Sequence, residues 1–287
     1  VTGLKRFAEV DATIAQQLRE WAFREAEQAI HSVPAEQRAS WQLLQQLAVL
    51  LMQQGVYAKA EPLLDESAMH CHRQLGRHHD LTMKTDELRA RLMRMQGKLA
   101  EAQSMLEDIV QRRREVHGDE SEATASVEEE LGLVYQAQKK LAAAEPLFRS
   151  ALEARRKALG DLSDASSHEG ASKAVEHGNH QRRRPVVAES GRELTVELKQ
   201  HITTLNNLAS LLRAQSGSKL EEAEPLLREC LKEKRALLGD RDPETLVGVN
   251  QLGLLMQTMR RPDDAEVLFR EALVGRREVL GRQHPQT

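Results

Sequence analysis

One segment recurs along this 287-residue chain at a step of 42 residues, and nothing else in the sequence constrains the fold as tightly. Gln54-Gly55-Val56-Tyr57-Ala58-Lys59-Ala60-Glu61-Pro62-Leu63-Leu64 aligns with Gln96-Gly97-Lys98-Leu99-Ala100-Glu101-Ala102-Gln103-Ser104-Met105-Leu106. It aligns again with Gln138-Lys139-Lys140-Leu141-Ala142-Ala143-Ala144-Glu145-Pro146-Leu147-Phe148. Its central small residue falls at Ala60, Ala102 and Ala144, then at Ala223 and Ala265, and a later glycine falls at Gly76, Gly118, Gly160, Gly239 and Gly281. Five copies in register define a solenoid, in which each unit packs only on its neighbours and the product is an extended surface.

The units read as helices. Apolar residues make up 40% of the chain but aromatics only 3%, so the core is built of Leu, Ala and Met, which favours helices over strands. Leu44, Leu47, Ala48 and Leu51 form one stripe of a helix A over Trp41 to Gln53. Gly55 supplies the turn, where a residue without Cβ takes positive φ. Helix B, from about Ala58, turns Ala60, Leu63, Leu64 and Ala68 inward. Small residues at Ala48 and Ala60 let the two axes approach. The B helices are expected to stop at the C′ glycines, Gly160 included, and Asp242-Pro243 reads as an N-cap with proline at N1.

Two places break the pattern. Asp86 and Arg89 stand where the first copy has Leu44 and Leu47, so the second helix A is expected to pack weakly. Between copies three and four, 35 residues are inserted, since the helix A small residue steps through 48, 90 and 132 and next appears at Ala209. The resulting organisation is an N-terminal helix or degenerate capping repeat over 1–39, with Asp11 to Ile30 amphipathic, three repeats over 40–160, a flexible insertion loop over 161–195, and two repeats over 196–287. The last residues, His284-Pro285-Gln286-Thr287, echo the start of a further helix A, so either a partner covers that end or the natural chain continues.

Leu205-Asn206-Asn207-Leu208-Ala209-Ser210-Leu211-Leu212, followed by Glu221-Glu222-Ala223-Glu224-Pro225-Leu226-Leu227-Arg228-Glu229, resembles the tetratricopeptide repeat of kinesin light chains and nephrocystin-like proteins. The third and fifth copies carry the same pattern, over Ala144 to Leu152 and Ala265 to Leu273. The resemblance implies an all-α fold, a right-handed α-α superhelix of five helical hairpins, whose concave face is lined by the A helices and binds peptides or protein surfaces. Nothing in the chain resembles the heptad region that joins a kinesin light chain to its motor.

Projecting each helix A onto that face nominates Gln45 in the first copy, Lys84, Arg91 and Arg94 in the second, Gln136 in the third, Asn206 and Arg213 in the fourth, and Asn250 and Gln257 in the fifth. Asn206 and Asn250 share a column where, by the resemblance, asparagine holds a bound peptide's main chain, since its amide donates and accepts at once. The arginines suit acidic side chains, while Glu87 and Glu129 occupy the asparagine column and make the face mixed in sign. Arg182, Arg183 and Arg184 in the insertion offer a further contact for a phosphate or an acidic partner.

Other chemistry is not expected. On a helix His70 and His72 point in nearly opposite directions, and His168, His177 and His180 lack partners at a metal spacing, so no metal is predicted. There is no glycine-rich phosphate loop, nucleophile elbow or carboxylate pair, so neither catalysis nor a cofactor is predicted. A net charge of −3 disfavours nucleic acid as a partner. Cys71 and Cys230 are too few for a disulfide framework and point to a reducing compartment, the cytoplasm being the simplest; a chain starting at Val1 leaves organellar import open. No apolar run has the length of a membrane span, which leaves only peripheral association with a membrane complex. The expected function is a non-catalytic adaptor or scaffold for protein partners, and the alternative is a permanent architectural subunit of a larger assembly.

Overall fold

The computed structural model describes residues 41–172 and 187–280, and the side chains of 43–160 and 195–279. The amphipathic stretch from Asp11 to Ile30, the arginines Arg182, Arg183 and Arg184, Gly281 and the residues from His284 to Thr287 lie outside the described residues. Among the described residues every regular element is a helix: α1 Trp41–Gln53, α2 Tyr57–Leu75, α3 Asp80–Met95, α4 Leu99–His117, α5 Glu122–Ala137, α6 Leu141–Ser172, α7 Val187–Gln215, α8 Lys219–Leu238, α9 Pro243–Thr258 and α10 Pro262–Leu280. The odd-numbered helices are the A helices of the five repeats. The chain divides into two compact units, Val1–Gln96 and Gly97–Thr287.

In the first unit α1 and α2 form a hairpin against which α3 packs. The core is Leu47, Ala48, Leu51 and Met52 from α1, Ala60 and Leu64 from α2, and Leu88 and Leu92 from α3. The second helix A does not pack weakly. Asp86 is 4% exposed, and it is accommodated because His72 Nε2 lies 3.0 Å from its Oδ1 and Arg89 approaches at 3.9 Å. Arg89 also pairs with Asp65 at 2.7 Å, so the two polar residues of the stripe are joined to α2 by a hydrogen bond and an ion pair where the first repeat uses leucine.

In the second unit one core runs from copy three into copies four and five. It includes Phe148 and Leu152 from α6, Leu205, Leu208, Leu211 and Leu212 from α7, Leu227 and Leu231 from α8, and Leu252, Leu255 and Met256 from α9. Each large apolar side chain fully buried there contributes about 1.5–3 kcal/mol. The inserted residues therefore leave the stacking of α7 on α6 intact. Cys230 packs in this core, 1% exposed, with its thiol directed at the Ile202 carbonyl.

The insertion differs from the loop expected over 161–195. α6 runs through Gly160 to Ser172, and α7 already begins at Val187. Gly76, Gly118 and Gly239 do stop their helices, with φ of 82°, 84° and 92°. Each is followed within three residues by the N-cap of the next helix A: His79, Ser121 and Asp242. After Gly160 the helix continues although Ser163 stands three residues on, as Ser121 does after Gly118; the first proline beyond Pro146 is Pro185. Glycine permits the left-handed turn without compelling it, so the helix continues where no next helix draws the chain back.

Within the hairpins a large residue on helix B sits over a small one on helix A. The first and fourth copies pair Ala48 with Leu64 and Ala209 with Leu227. The third and fifth pair glycine with phenylalanine. A Cβ on Gly132 would meet the Phe148 ring at 2.9 Å, and one on Gly253 would meet the Phe269 ring at 2.7 Å. Ring and glycine therefore change together, and the close approach of the axes is kept. In a double-mutant cycle on thermal or chemical denaturation, Gly132→Ala should destabilise the protein but become stabilising, through helix propensity, in the Phe148→Leu background. The expected coupling is about 1–2 kcal/mol, and additive effects would refute the size match.

Three of the hairpin tips share one turn. Gly55 donates to the Met52 carbonyl and Val56 to that of Leu51, the paired bonds of a Schellman motif. Lys139 and Lys140 repeat these bonds, as do Arg260 and Arg261, although Lys139 and Arg260 carry side chains at φ of 64° and 59°. Both side chains are exposed, so what they cost is backbone strain. Lys139→Gly and Arg260→Gly should each stabilise by about 0.5–1 kcal/mol in urea unfolding, the left-handed penalty less the extra chain entropy of glycine. Gly55→Ala should do the opposite.

Candidate peptide-binding face

The A helices of the first unit bring only part of the expected set to the surface. Gln45 is not on it. It is 8% exposed, with its amide nitrogen 2.5 Å from Thr85 Oγ1 and 3.3 Å from Ser67 Oγ. Helix projection misplaces it because α3 packs across the α1–α2 hairpin and covers that position. Lys84 is exposed and lies 2.9 Å from Glu87 Oε1, which Arg91 approaches at 3.9 Å. Glu87 itself is buried, 1% exposed, so the carboxylate expected on the surface lies beneath the two cations. Arg94 is half-buried on the same helix.

The second unit corrects the asparagine column in the same way. Glu129 on α5 is 7% exposed and does not face out. Its Oε2 receives Arg155 Nη1 at 2.6 Å, and its Oε1 receives the Asn207 amide at 2.7 Å. Arg155, 3% exposed on α6, also reaches Glu122 at 3.2 Å, the Gln200 carbonyl at 2.9 Å and the Thr204 hydroxyl. Burial pushes the Glu122 carboxyl above its ordinary value, against the pull of Arg155. Two consecutive asparagines thus divide their work: Asn207 is taken up in this network, and Asn206 turns to the other side.

Asn206 is half-buried and lines a pocket of about 450 Å³ with Lys199, Ile202, Thr203, Lys234, Leu237 and Asp242. Its Oδ1 is buried and has no hydrogen-bond partner. That is a costly state for an amide, about 1–3 kcal/mol, unless something supplies a donor. On α9, Asn250 is likewise half-buried, and Val247 and Leu254, 44% and 37% exposed, lie three residues before it and four after. The helix therefore presents an amide between two apolar contacts on one face. Gln257 is exposed and borders a second pocket of about 320 Å³ with Phe269 and Leu273, while Gln136 and Arg213 are half-buried.

Sequence reasoning nominated the Asn206 column but missed the lysines beside it, Lys199 and Lys234, because they lie on different helices and share no spacing. It also missed Arg155, which reads as one more charge on a B helix. Replacing Arg155 by Met leaves Glu122 and Glu129 without their cation. The expected loss is about 3–5 kcal/mol in denaturant unfolding, and a loss below about 1 kcal/mol would show that the network contributes nothing net.

The chain matches the tetratricopeptide repeat family model over residues 38–110, 81–157 and 200–278. No curated protein matches it. Among solved structures, BtubC (BKLC) from P. vanneervenii is similar over 93% of this chain and 91% of its own, at 19% identity and a TM-score of 0.62. A Podosopora anserina protein of nearly identical TPR-like repeats, described as a kinesin light chain, is similar over 83% of this chain and 94% of its own, at 17% identity and a TM-score of 0.59. Identities this low speak for the fold, while the family model spans more than half of the chain. The protein belongs to the tetratricopeptide repeat family, with kinesin-light-chain-like repeats as its structural neighbours.

Proposed function

We propose that this chain is a non-catalytic scaffold that binds an extended peptide through the A-helix face of its second unit. The tetratricopeptide repeat is typically a non-enzymatic interaction module, which supports a protein partner. The observation that carries the finer reading is the buried, unpartnered Oδ1 of Asn206 in its pocket. A peptide N–H satisfies that oxygen, while the asparagine N–H₂ can donate to a peptide carbonyl. Lys199 and Lys234 border the same pocket, with Asp242 and Glu244 also on its wall, and can receive an acidic side chain or a terminal carboxylate, and Val247 and Leu254 on α9 offer apolar contacts beside Asn250. The reading locates the chain in a reducing compartment, the cytoplasm being the simplest, supported by Cys71 and Cys230 as free buried thiols. Among the described residues no helix is long and apolar enough to cross a membrane.

A permanent architectural subunit is the second reading. It is favoured by Val267 and Val274, 67% and 55% exposed and seven residues apart on α10, an apolar strip that a lasting neighbour would cover. The two readings separate on the purified chain by whether it stays monomeric without other components.

Selection of a random peptide library on the immobilised chain tests the first. Enriched peptides should carry acidic residues, and Asn206→Ala and Asn250→Ala should each weaken their binding about tenfold, the worth of one or two backbone hydrogen bonds. Peptides that bind both variants as tightly as the original chain would rule out the asparagine column.

A further inference from the structure

We propose that His201, Glu229 and Glu233 hold a divalent transition-metal ion, with zinc as the best match to one imidazole and two carboxylates. His201 lies on α7, and Glu229 and Glu233 lie four residues apart on α8, so one turn of helix presents both carboxylates to the ring. His201 Nε2 is 3.5 Å from Glu229 Oε1 and 3.5 Å from Glu233 Oε1, and one ligand atom from each residue can be chosen so that all lie within 4.8 Å of one another.

Those distances exceed the usual length of an N–H···O bond, about 2.9 Å. They match the edge of a tetrahedron, about 3.4 Å when its centre lies about 2.1 Å from each corner, as for zinc with nitrogen and oxygen ligands.

The surroundings point the same way. His201 is 2% exposed, its Nδ1 has no hydrogen-bond partner, and the buried Oε2 of Glu233 has none either. Arg156 Nη2 binds Glu229 Oε2 at 2.6 Å, which fixes that carboxylate and leaves Oε1 toward the ring. Burial and the charge of Glu229 push the Glu233 carboxyl up to about 7, against the pull of Arg156 and Lys232. The neighbouring Cys230 is not a ligand: its thiol faces the Ile202 carbonyl, and burial raises its pKa to about 11.

The test uses the full chain stripped with a chelator. Titration with Co²⁺ should give the visible ligand-field bands of a tetrahedral centre, saturating at one equivalent, and Zn²⁺ should bleach them. His201→Gln and Glu233→Gln should each weaken binding by more than about tenfold, while Glu221→Gln, an exposed acid on the same helix, should not. Circular dichroism in chelator confirms that each variant is folded. If His201→Gln does not fold, Glu233→Gln alone decides. Binding that fails to saturate at one equivalent, or that survives Glu233→Gln unchanged, overturns the assignment.

Discussion

The close approach of two helices within each hairpin is the contact on which the rest of this structure depends. In copies one, three, four and five a residue of helix B enters the space that helix A leaves, and the volume of the pair is held nearly constant. Ala48 accepts Leu64, and Ala209 accepts Leu227. Gly132 accepts Phe148 and Gly253 accepts Phe269, at distances where even one added methyl would touch the ring. Close packing leaves no slack for one partner to grow alone. A chain with few aromatics can therefore still build the core of each unit largely from Leu and Ala. Phe148 and Phe269 stand where a glycine makes room for the ring.

Polar residues enter the interior on different terms. Gln45, Asp86 and Glu129 stand at positions that helical projection assigns to a weak stripe or to the outer face, and all three are buried and hydrogen-bonded. Burying such groups is costly without partners. Here each has at least one partner on another helix, so they act as directional contacts among leucines. The face proposed for a partner is correspondingly less mixed in sign than the sequence suggests, because Glu87 and Glu129 are buried.

This explains which features could be read in advance. The helix A limits of the first copy, the turn at Gly55 and the Asp242 cap follow from local rules: apolar spacing, positive φ and side-chain capping. Gln45 could not be placed, because its burial depends on α3, a helix from the next repeat. Gly160 could not be read as a helix interior, since the four equivalent glycines make it look like a stop. Whether a glycine stops a helix depends on what the following residues can dock against. Lys199 and Lys234 border the Asn206 pocket only because two helices meet, and His201 faces Glu229 and Glu233 for the same reason. Such juxtapositions leave no periodic trace in the sequence.

The Arg155 network links these levels. α7 follows an insertion of 35 residues, so its docking register is not dictated by a short turn. Its leucines, Leu205, Leu208 and Leu212, recur at helical spacing, and an apolar stripe of this kind tolerates a slip of one turn at modest cost. The polar contacts do not. Arg155 from α6 meets the Gln200 carbonyl and Thr204, and Glu129 from α5 meets Thr204 and Asn207. A slip of one turn separates these groups and leaves two buried charges with fewer partners, a loss of several kcal/mol. The network therefore selects one register from several that the leucines would accept. In that register Asn207 is directed inward, Asn206 lines its pocket and His201 faces α8. The chemistry available to a partner is set by an interior ion pair that the partner itself need not touch.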